Sequence, residues 1–451
     1  MSQFTISTPS LLSGQGIDVA STVQQLVAAA SAPEQNWQTQ QQQIQAQEGV
    51  VNQINSGLSA LLGYVNTLKD PAGALESVSV TSSNSNIVTA TATAGASFGS
   101  HVVVVNNLSS TASYYSAAAL KTTDPLGSGS FDLTMGGNTQ TIQLNNQTLS
   151  QLATGINNQK LGVTASVITD SVGAHLVIVA NNSGAAGAFT VDGTNAPGLG
   201  LTSGSSGTDA SVTIDGVPIS SATNTVSGAI PGVTLQLQSK SNGQEVSIQA
   251  QADTQSINTA VTNFVATYNN TIQELNAQFA VSAGSNGTTT APPLESDSTV
   301  RSVQQQLMSF MTQSFGNNAD FATLASLGIS MNDDGTLTLD STQLSAAITN
   351  HYSSVVDFFQ GTSGFATTLS SQLTKLTDPI NGAFYLDLNG MQDTYTSLQD
   401  EINNFQDYIA SQQQVWLQEY TQLNVALLQW PFQQQEMDTL FGTNSNSNSN
   451  K

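Results

Sequence analysis

Between Val19 and Leu68 the apolar side chains recur on a heptad: Val19, Val23, Leu26, Ala30, Trp37, Ile44, Val51, Ile54, Leu58, Leu61, Val65 and Leu68. They fill one register, with a at 23, 30, 37, 44, 51, 58 and 65 and d at 19, 26, 33, 40, 47, 54, 61 and 68. That is the period of a helix packed along one seam. Pro33, Gln40 and Gln47 break the apolar rule at d. Pro33 is expected to kink the helix or to open a new one in its first turn. Polar d residues weaken a seam but fix its register. "KDPAG" (69–73) ends the element.

The far end mirrors the first. From Leu388 the a positions are Leu388, Tyr395, Ile402, Ile409, Trp416, Leu423, Trp430 and Met437, and the d positions include Met391, Leu398, Phe405, Gln412 and Glu419. Pro431 in "QWPFQQQ" is expected to break or kink this helix, at a cost of about 3 kcal/mol in a helix interior. Long helices with few ion pairs are marginal alone. Their outer halves are therefore expected to stay disordered until partners cover them.

Between the two ends the pattern changes to strands. "SVSVTSSNSNIVTATAT" (77–93) and "SHVVVVNNL" (100–108) are alternating or β-branched runs, and "GSFDLTMGGNTQTIQL" (129–144) predicts a hairpin at Gly136-Gly137. "TLSQLATGIN" (148–157) predicts a short helix capped by Thr148. "GVTASVITDSVGAHLVIVAN" (162–181) returns to strand, and "GLTSGSSGTDA" (200–210) is expected to be a hinge. Helical spacing resumes at 255, with Val300, Val303, Leu307 and Phe310 marking another helix after a 282–293 loop. "GISMNDDGTLTLD" (328–340) predicts a hairpin around Asp334-Gly335, "STQLSAAITNHYSSVVDFF" a helix, and "GTNSNSNSNK" an unstructured tail.

The expected fold class is α+β multidomain: terminal heptad helices forming a helical leg, with inserted β-rich subdomains forming a head or plate. Residues 1–45 and 405–451 would form the leg end, and 46–73 with 255–404 a helical bundle carrying a small β-hairpin. Residues 74–128 with 205–254 would form the head, and 129–204 a second β-rich subdomain inserted in it with one short helix.

Composition narrows the function. The chain of 451 residues carries 30 Asp+Glu against 7 Lys+Arg, a net charge of −23. The basic residues are scattered singly, so no cluster is available to neutralise a row of phosphates, and nucleic acid is excluded as a partner. No apolar run approaches the length of a membrane span, so no membrane insertion is expected. Cysteine is absent, which removes disulfides and thiolate metal sites. "LVAAASAPEQ" resembles a signal-peptide cleavage site, but residues 1–36 hold no Lys or Arg and Gln24 and Gln25 interrupt the apolar segment. It reads better as continuing helix, so no cleaved signal is expected.

Chemistry has little to build on. His101, His175 and His351 are isolated, with no HExxH or HxxxH spacing. Asp333, Asp334 and Asp340 in "NDDGTLTLD" do not follow a calcium-loop pattern, and no GxSxG elbow or phosphate-cradling glycine loop is present. The chain is expected to be no enzyme, without cofactor, metal or catalytic residues. What remains is the seam. Its candidate interaction residues are Ile17, Val23, Leu26, Trp37, Ile44, Val51 and Leu58, and Ile402, Ile409, Trp416, Leu423 and Trp430. Tryptophans at a positions suit either an interface or an intramolecular coiled coil.

"GIDV" (16–19) ahead of the heptad helix resembles the N-terminus of the flagellar filament cap family, flagellar hook-associated protein 2. Further blocks follow in the family's order: "VTSSNSNIVTATAT", "TLSQLATGINNQKLGVTASVITD", "IDGVPI…NTVSGAIPGVTLQL", "FVATYNN", "PPLESDSTVR", "LGISMNDDGTLTLD" and "VVDFFQG…GFA". The resemblance implies export through the flagellar type III channel without a cleaved signal, and an extracellular place at the distal tip of the bacterial flagellum. It implies a ring-like homo-oligomer, a pentamer in the arrangement frequent among relatives. It also implies flagellin, the hook-associated junction proteins and a flagellar export chaperone as partners, with flagellin folded and inserted under the cap. Two other readings stand beside it: a hook–filament junction protein, and a surface adhesin using the β subdomains.

Overall fold

The computed structural model describes residues 16–117, 120–196, 198–280, 282–283, 289–316 and 319–441. The expected unstructured tail and part of the 282–293 loop lie outside these.

Helix α1 (Val19–Ala30) and helix α2 (Ala32–Lys69) meet at Ser31, with Pro33 in the first turn of α2. There its missing N–H costs no hydrogen bond and its fixed φ suits a helix start. Asp18 caps α1, its carboxylate accepting from Ser21 N at 3.1 Å. "LVAAASAPEQ" is thus helix on both sides of one break. The outer segments, expected to be disordered alone, are helical here because α1 lies against the C-terminal helix and gives both a packed face.

A 3-10 turn at Ala74–Glu76 leads into β1 (Val78–Ser82), β2 (Val88–Ala92) and β3 (Gly99–Asn107). The chain then leaves for an inserted unit: β4 (Ser113–Ser116), β5 (Ser128–Met135), β6 (Asn138–Asn145), helix α3 (Leu149–Asn158), β7 (Val163–Thr169), β8 (Ala174–Ala180), β9 (Phe189–Asp192) and β10 (Leu201–Ser205). It returns as β11 (Ala210–Ile214), β12 (Val217–Ser221), β13 (Thr225–Ile230), β14 (Val233–Leu237) and β15 (Val246–Ala252).

The head unit pairs an antiparallel sheet of order β1-β15-β3-β11-β12 with one of order β13-β14-β2. Alternate residues such as Val103, Val105, Val212, Leu235 and Ile248 meet in its core, as period-2 strands dictate. The inserted unit has sheets β10-β4-β8-β7 and β6-β5-β9 around Phe131, Leu133, Ile142, Ile156, Leu176 and Ile178. Ala112 and Tyr114 pack into this core as well, so it begins ahead of the expected boundary at 129. Gly136 and Gly137 close the β5–β6 hairpin at positive φ, the conformation a two-residue turn requires. Thr148 caps α3 in a reciprocal box with Gln151.

The Gly/Ser stretch expected to be a hinge is partly strand. Leu201, Thr202 and Ser203 pair with Ser116, Tyr115 and Tyr114, and Ser205 with Ser113 after a bulge at Gly204. The edge groups of β4 offer hydrogen-bond partners that outweigh the poor strand propensity of Gly and Ser.

The helical body combines the inner part of α2 with α4 (Thr254–Ala277), α5 (Ser298–Met311), α6 (Ser341–Gln360), α7 (Phe365–Leu376) and the start of α8 (Ala383–Phe441). Phe365 meets the rings of Phe264, Phe310, Phe315, Phe358 and Phe359 at centroid distances of 5.2 to 6.1 Å. Ile329–Met331 and Leu337–Leu339 form the expected hairpin. Gly335 in its turn has φ +81°, and a Cβ there would stand 2.8 Å from Met308 Cε. Helix α6 bends at His351, whose backbone leaves the helical region.

Of the two outcomes expected at Pro431, a break is not seen: α8 runs through it to Phe441. Proline forfeits one ladder bond and crowds the carbonyl four residues back. On this solvent-exposed stretch water can satisfy the freed carbonyl, so the helix continues.

Candidate assembly interface

α1 and the outer part of α2 lie along α8, and the seam follows the heptad only in part. Val23 is 1% exposed, and Ile44, Ile402 and Ile409 are buried. Trp37 packs edge-on against Phe405, with ring centroids 5.3 Å apart. Leu26 and Trp416 are half-buried. The backbone N–H of Ile17 donates to Asn424 Oδ1 at 2.7 Å, which ties the start of α1 to the outer part of α8.

Polar seam positions behave differently from the heptad expectation. Gln40, at d, is exposed, while its neighbour Gln41 is buried. A straight helix drifts against a seven-residue repeat, and the buried face moves to Glu34, Trp37, Gln41 and Ile44. Gln41 Nε2 donates to Gln399 Oε1 at 3.2 Å and Tyr395 O at 3.4 Å. Gln45 Nε2 reaches Tyr395 OH at 3.2 Å, and Gln406 Nε2 donates to Glu34 Oε1 at 2.6 Å. The outer seam is thus laced by amides, each such bond adding about 0.5–1.5 kcal/mol net. Gln47 turns outward to donate to Pro293 O at 2.9 Å. These amides carry no hydrophobic signature, so patterning alone missed them.

Val51 and Leu58 fall on the inner part of the seam. Both are 0% exposed and belong to the core of the helical body. They hold the leg together and cannot touch another molecule. Beyond Trp416 the register fails in the other direction. Leu423 is 46% exposed and Trp430 64%, joined by Leu417, Val425, Leu428, Phe432 and Met437. Half-buried Tyr420, Asn424 and Leu427 continue the covered face instead.

The outer part of α8 therefore exposes large apolar side chains on several faces, interspersed with glutamines and carboxylates, and α1 covers one side. A helix of that kind is stable where other surfaces bury the rest. Its charge is uniform in sign: α8 contains eight acidic residues, and no Lys, Arg or His occurs from 376 to 450. At the base of α8, burial and the adjacent carboxylate of Asp297, the N-cap of α5, push the Asp387 carboxyl up to about 6.

The histidines are dispersed, each beside one aspartate. His101 Nδ1 lies 2.7 Å from Asp215 Oδ2, His175 Nε2 3.5 Å from Asp170 Oδ2, and His351 Nδ1 3.2 Å from Asp320 Oδ2. They sit in the head, the inserted unit and the helical body respectively, so no shared site forms. Among the described residues no group of three or more His, Cys, Asp or Glu is placed to hold a metal ion. Nor is any helix among them long and apolar enough to cross a membrane.

Known proteins with this architecture share more than its outline. The family profile for the N-terminus of flagellar hook-associated protein 2 matches residues 15–112, and that for its C-terminus matches residues 207–430. The stretch between them holds the inserted unit from β4 to β10. Flagellar hook-associated protein 2 of Escherichia coli K12 is 28% identical over 470 residues, covering 98% of this chain and 99% of the relative. The A-type protein of Pseudomonas aeruginosa is 27% identical over 416 residues, covering 85% of this chain and 86% of its own. Among solved structures, the D1-D2-D3 domains of the flagellar cap protein FliD from Escherichia coli share the fold. The TM-score is 0.59 at 24% identity, covering 76% of this chain and 99% of that one. With the two profiles together spanning well over half of its length, the chain belongs to the flagellar hook-associated protein 2 family, the FliD family of structural, non-enzymatic flagellar cap proteins.

Proposed function

We propose that this chain caps the growing flagellar filament at its distal tip, as a ring of several copies with five as the expected number. The β-rich units form the plate, and the α1/α2/α8 legs point into the filament. Flagellin delivered through the channel is held under the plate until it folds, and the legs then release and rebind at the next vacancy. The hook-associated junction proteins receive the cap before the first flagellin arrives, and an export chaperone guards the legs beforehand.

The observation that carries this reading is the outer part of α8, where large apolar side chains such as Leu423, Trp430 and Phe432 stay exposed on faces that α1 does not cover. Such a surface fits a helix enclosed by neighbouring legs and by filament subunits. The amide-laced seam above Ile44 fits it too, because a weak intramolecular seam opens at low cost when intermolecular contacts replace it. The match to protein 2 of the hook-associated set favours a cap over a junction protein.

Deleting residues 1–36 tests the reading. Filament length on cells carrying only the deletion protein is expected to collapse, with unpolymerised flagellin in the medium, while the purified β units keep their strand signal in circular dichroism. Filaments of normal length would sink the role assigned to the legs.

A further inference from the structure

The connection between the head unit and the helical body is narrow, and its parts suggest a device. The main chain crosses between the two bodies at Ser77, entering β1, and at Asp253, leaving β15. β1 and β15 pair in register, Val78 opposite Ala252, so the two crossings lie side by side. Asp253 N donates to Ser77 O at 2.8 Å, joining them directly. No linker follows: Asp253 is itself the N-cap of α4, its carboxylate accepting from Ser256 N. A pivot built from two hydrogen-bonded crossings resists sliding but not rocking.

Off that pivot the head loop meets the body twice, by a backbone bond from Gly95 N to Glu76 O at 2.9 Å and by one ring contact. Phe98, in the head-unit loop before β3, is 46% exposed, and its ring meets Tyr352 of α6 edge-on with centroids 4.9 Å apart. Tyr352 is fixed from behind: its hydroxyl donates to Leu75 O at 2.8 Å and reaches Glu76 Oε2 at 3.3 Å. It also follows His351, where α6 bends. The ring is thus presented toward the head by a bent helix and held by the 3-10 turn that enters the pivot. Beside the pair lies a cleft of about 180 Å³, lined by Phe98, Gln251, Thr254, Ile348, Thr349 and Tyr352. Its walls come from both bodies, so rocking at the pivot changes its width.

We infer that this joint is a latched hinge: Ser77 and Asp253 form the pivot, and the edge-on contact of Phe98 with Tyr352 is the latch that fixes the angle of the head on the body. An aromatic pair of this geometry adds a modest, direction-dependent attraction beyond area burial. A half-exposed contact of that size holds one angle yet lets go under load. The inference does not depend on what the terminal helices bind.

The chain has no cysteine, so two introduced thiols report distance without background. Spin labels at Ser227→Cys in the head and Ser371→Cys in α7, both exposed, give the inter-body distance by pulsed electron paramagnetic resonance on the full chain. A second pair, Ser302→Cys with Ser371→Cys, lies within the helical body and monitors its fold. We expect one narrow inter-body distribution in the parent. Phe98→Ala should broaden it at least twofold, Phe98→Tyr should keep it narrow, and the intra-body distance should stay unchanged in both. A Phe98→Ala distribution as narrow as the parent's would overturn the latch. So would equal broadening by Phe98→Ala and Phe98→Tyr, which would show that the ring contact does not set the angle.

Discussion

The inner and outer parts of the same leg solve opposite problems. From Val51 to Leu68, α2 is enclosed by α4, α7 and the base of α8, and Val51, Ile54, Leu58, Leu61, Val65 and Leu68 are all 0% exposed. From Val415 to Met437, α8 carries apolar residues of similar size that remain mostly in water. The two stretches look alike as heptads and differ in what surrounds them. Burial gives the inner stretch about 1.5–3 kcal/mol per large side chain. The outer stretch keeps the same hydrophobic drive unspent, available to a partner. Buried, stabilising surface lies at the base of the terminal helices, and exposed apolar surface at their end.

The contrast can be broken at either end. Leu58→Ala removes a fully enclosed side chain and should destabilise the helical body by about 2–5 kcal/mol, measured by urea denaturation. A loss below about 1 kcal/mol would mean that the inner seam collapses around the gap and is not close-packed. Trp430→Ser with Phe432→Ser should do the reverse. Both side chains are mostly exposed, so monomer stability should stay within about 0.5 kcal/mol of the parent. Self-association, followed by sedimentation, should weaken by about tenfold or more, as for removal of aromatic anchors at an interface. Unchanged association would remove the outer part of α8 from the interface.

The smallest expected effect concerns the junction between the two stretches. Asp387, pushed up to about 6 by burial and by Asp297, binds its proton more tightly folded than unfolded. Its contribution to stability is therefore fully present at low pH, is lost as pH rises from about 4 to about 6, and stays lost above that window. Asp387 is partly exposed, so water screens the effect. Asp387→Asn should raise the midpoint of thermal unfolding by about 1–2 °C at pH 7.5 and leave it unchanged at pH 4. Equal shifts at both pH values would assign the gain to packing instead.

Much of the fold could be read from residue pattern. The run from Ile44 to Leu68, the hairpins at Gly136-Gly137 and Asp334-Gly335, and the Thr148 cap all stand where local chemistry put them, because period and turn geometry act over a few residues. What escaped the sequence depends on distant partners. The Gly/Ser run 201–205 became strand because β4 lay ready to pair with it. Gln41, not Gln40, took the buried place through helical drift and a pair of acceptors on α8. Pro431 stayed within a helix because water faces it. The candidate site was legible as two heptad faces. Whether Leu58 or Trp430 lay in the open was not, since both occupy a positions and only the surrounding helices separate them.

Amide hydrogen exchange compared between the monomer and the proposed ring assembly tests the central claim most directly. Residues 51–68 should be protected in both states, while 415–437, helical but covered on one side only, should exchange faster than 51–68 in the monomer and gain protection on assembly. Protection of 415–437 in the monomer equal to that of 51–68, with no gain on assembly, would contradict the division of the leg into a stabilising base and a binding end.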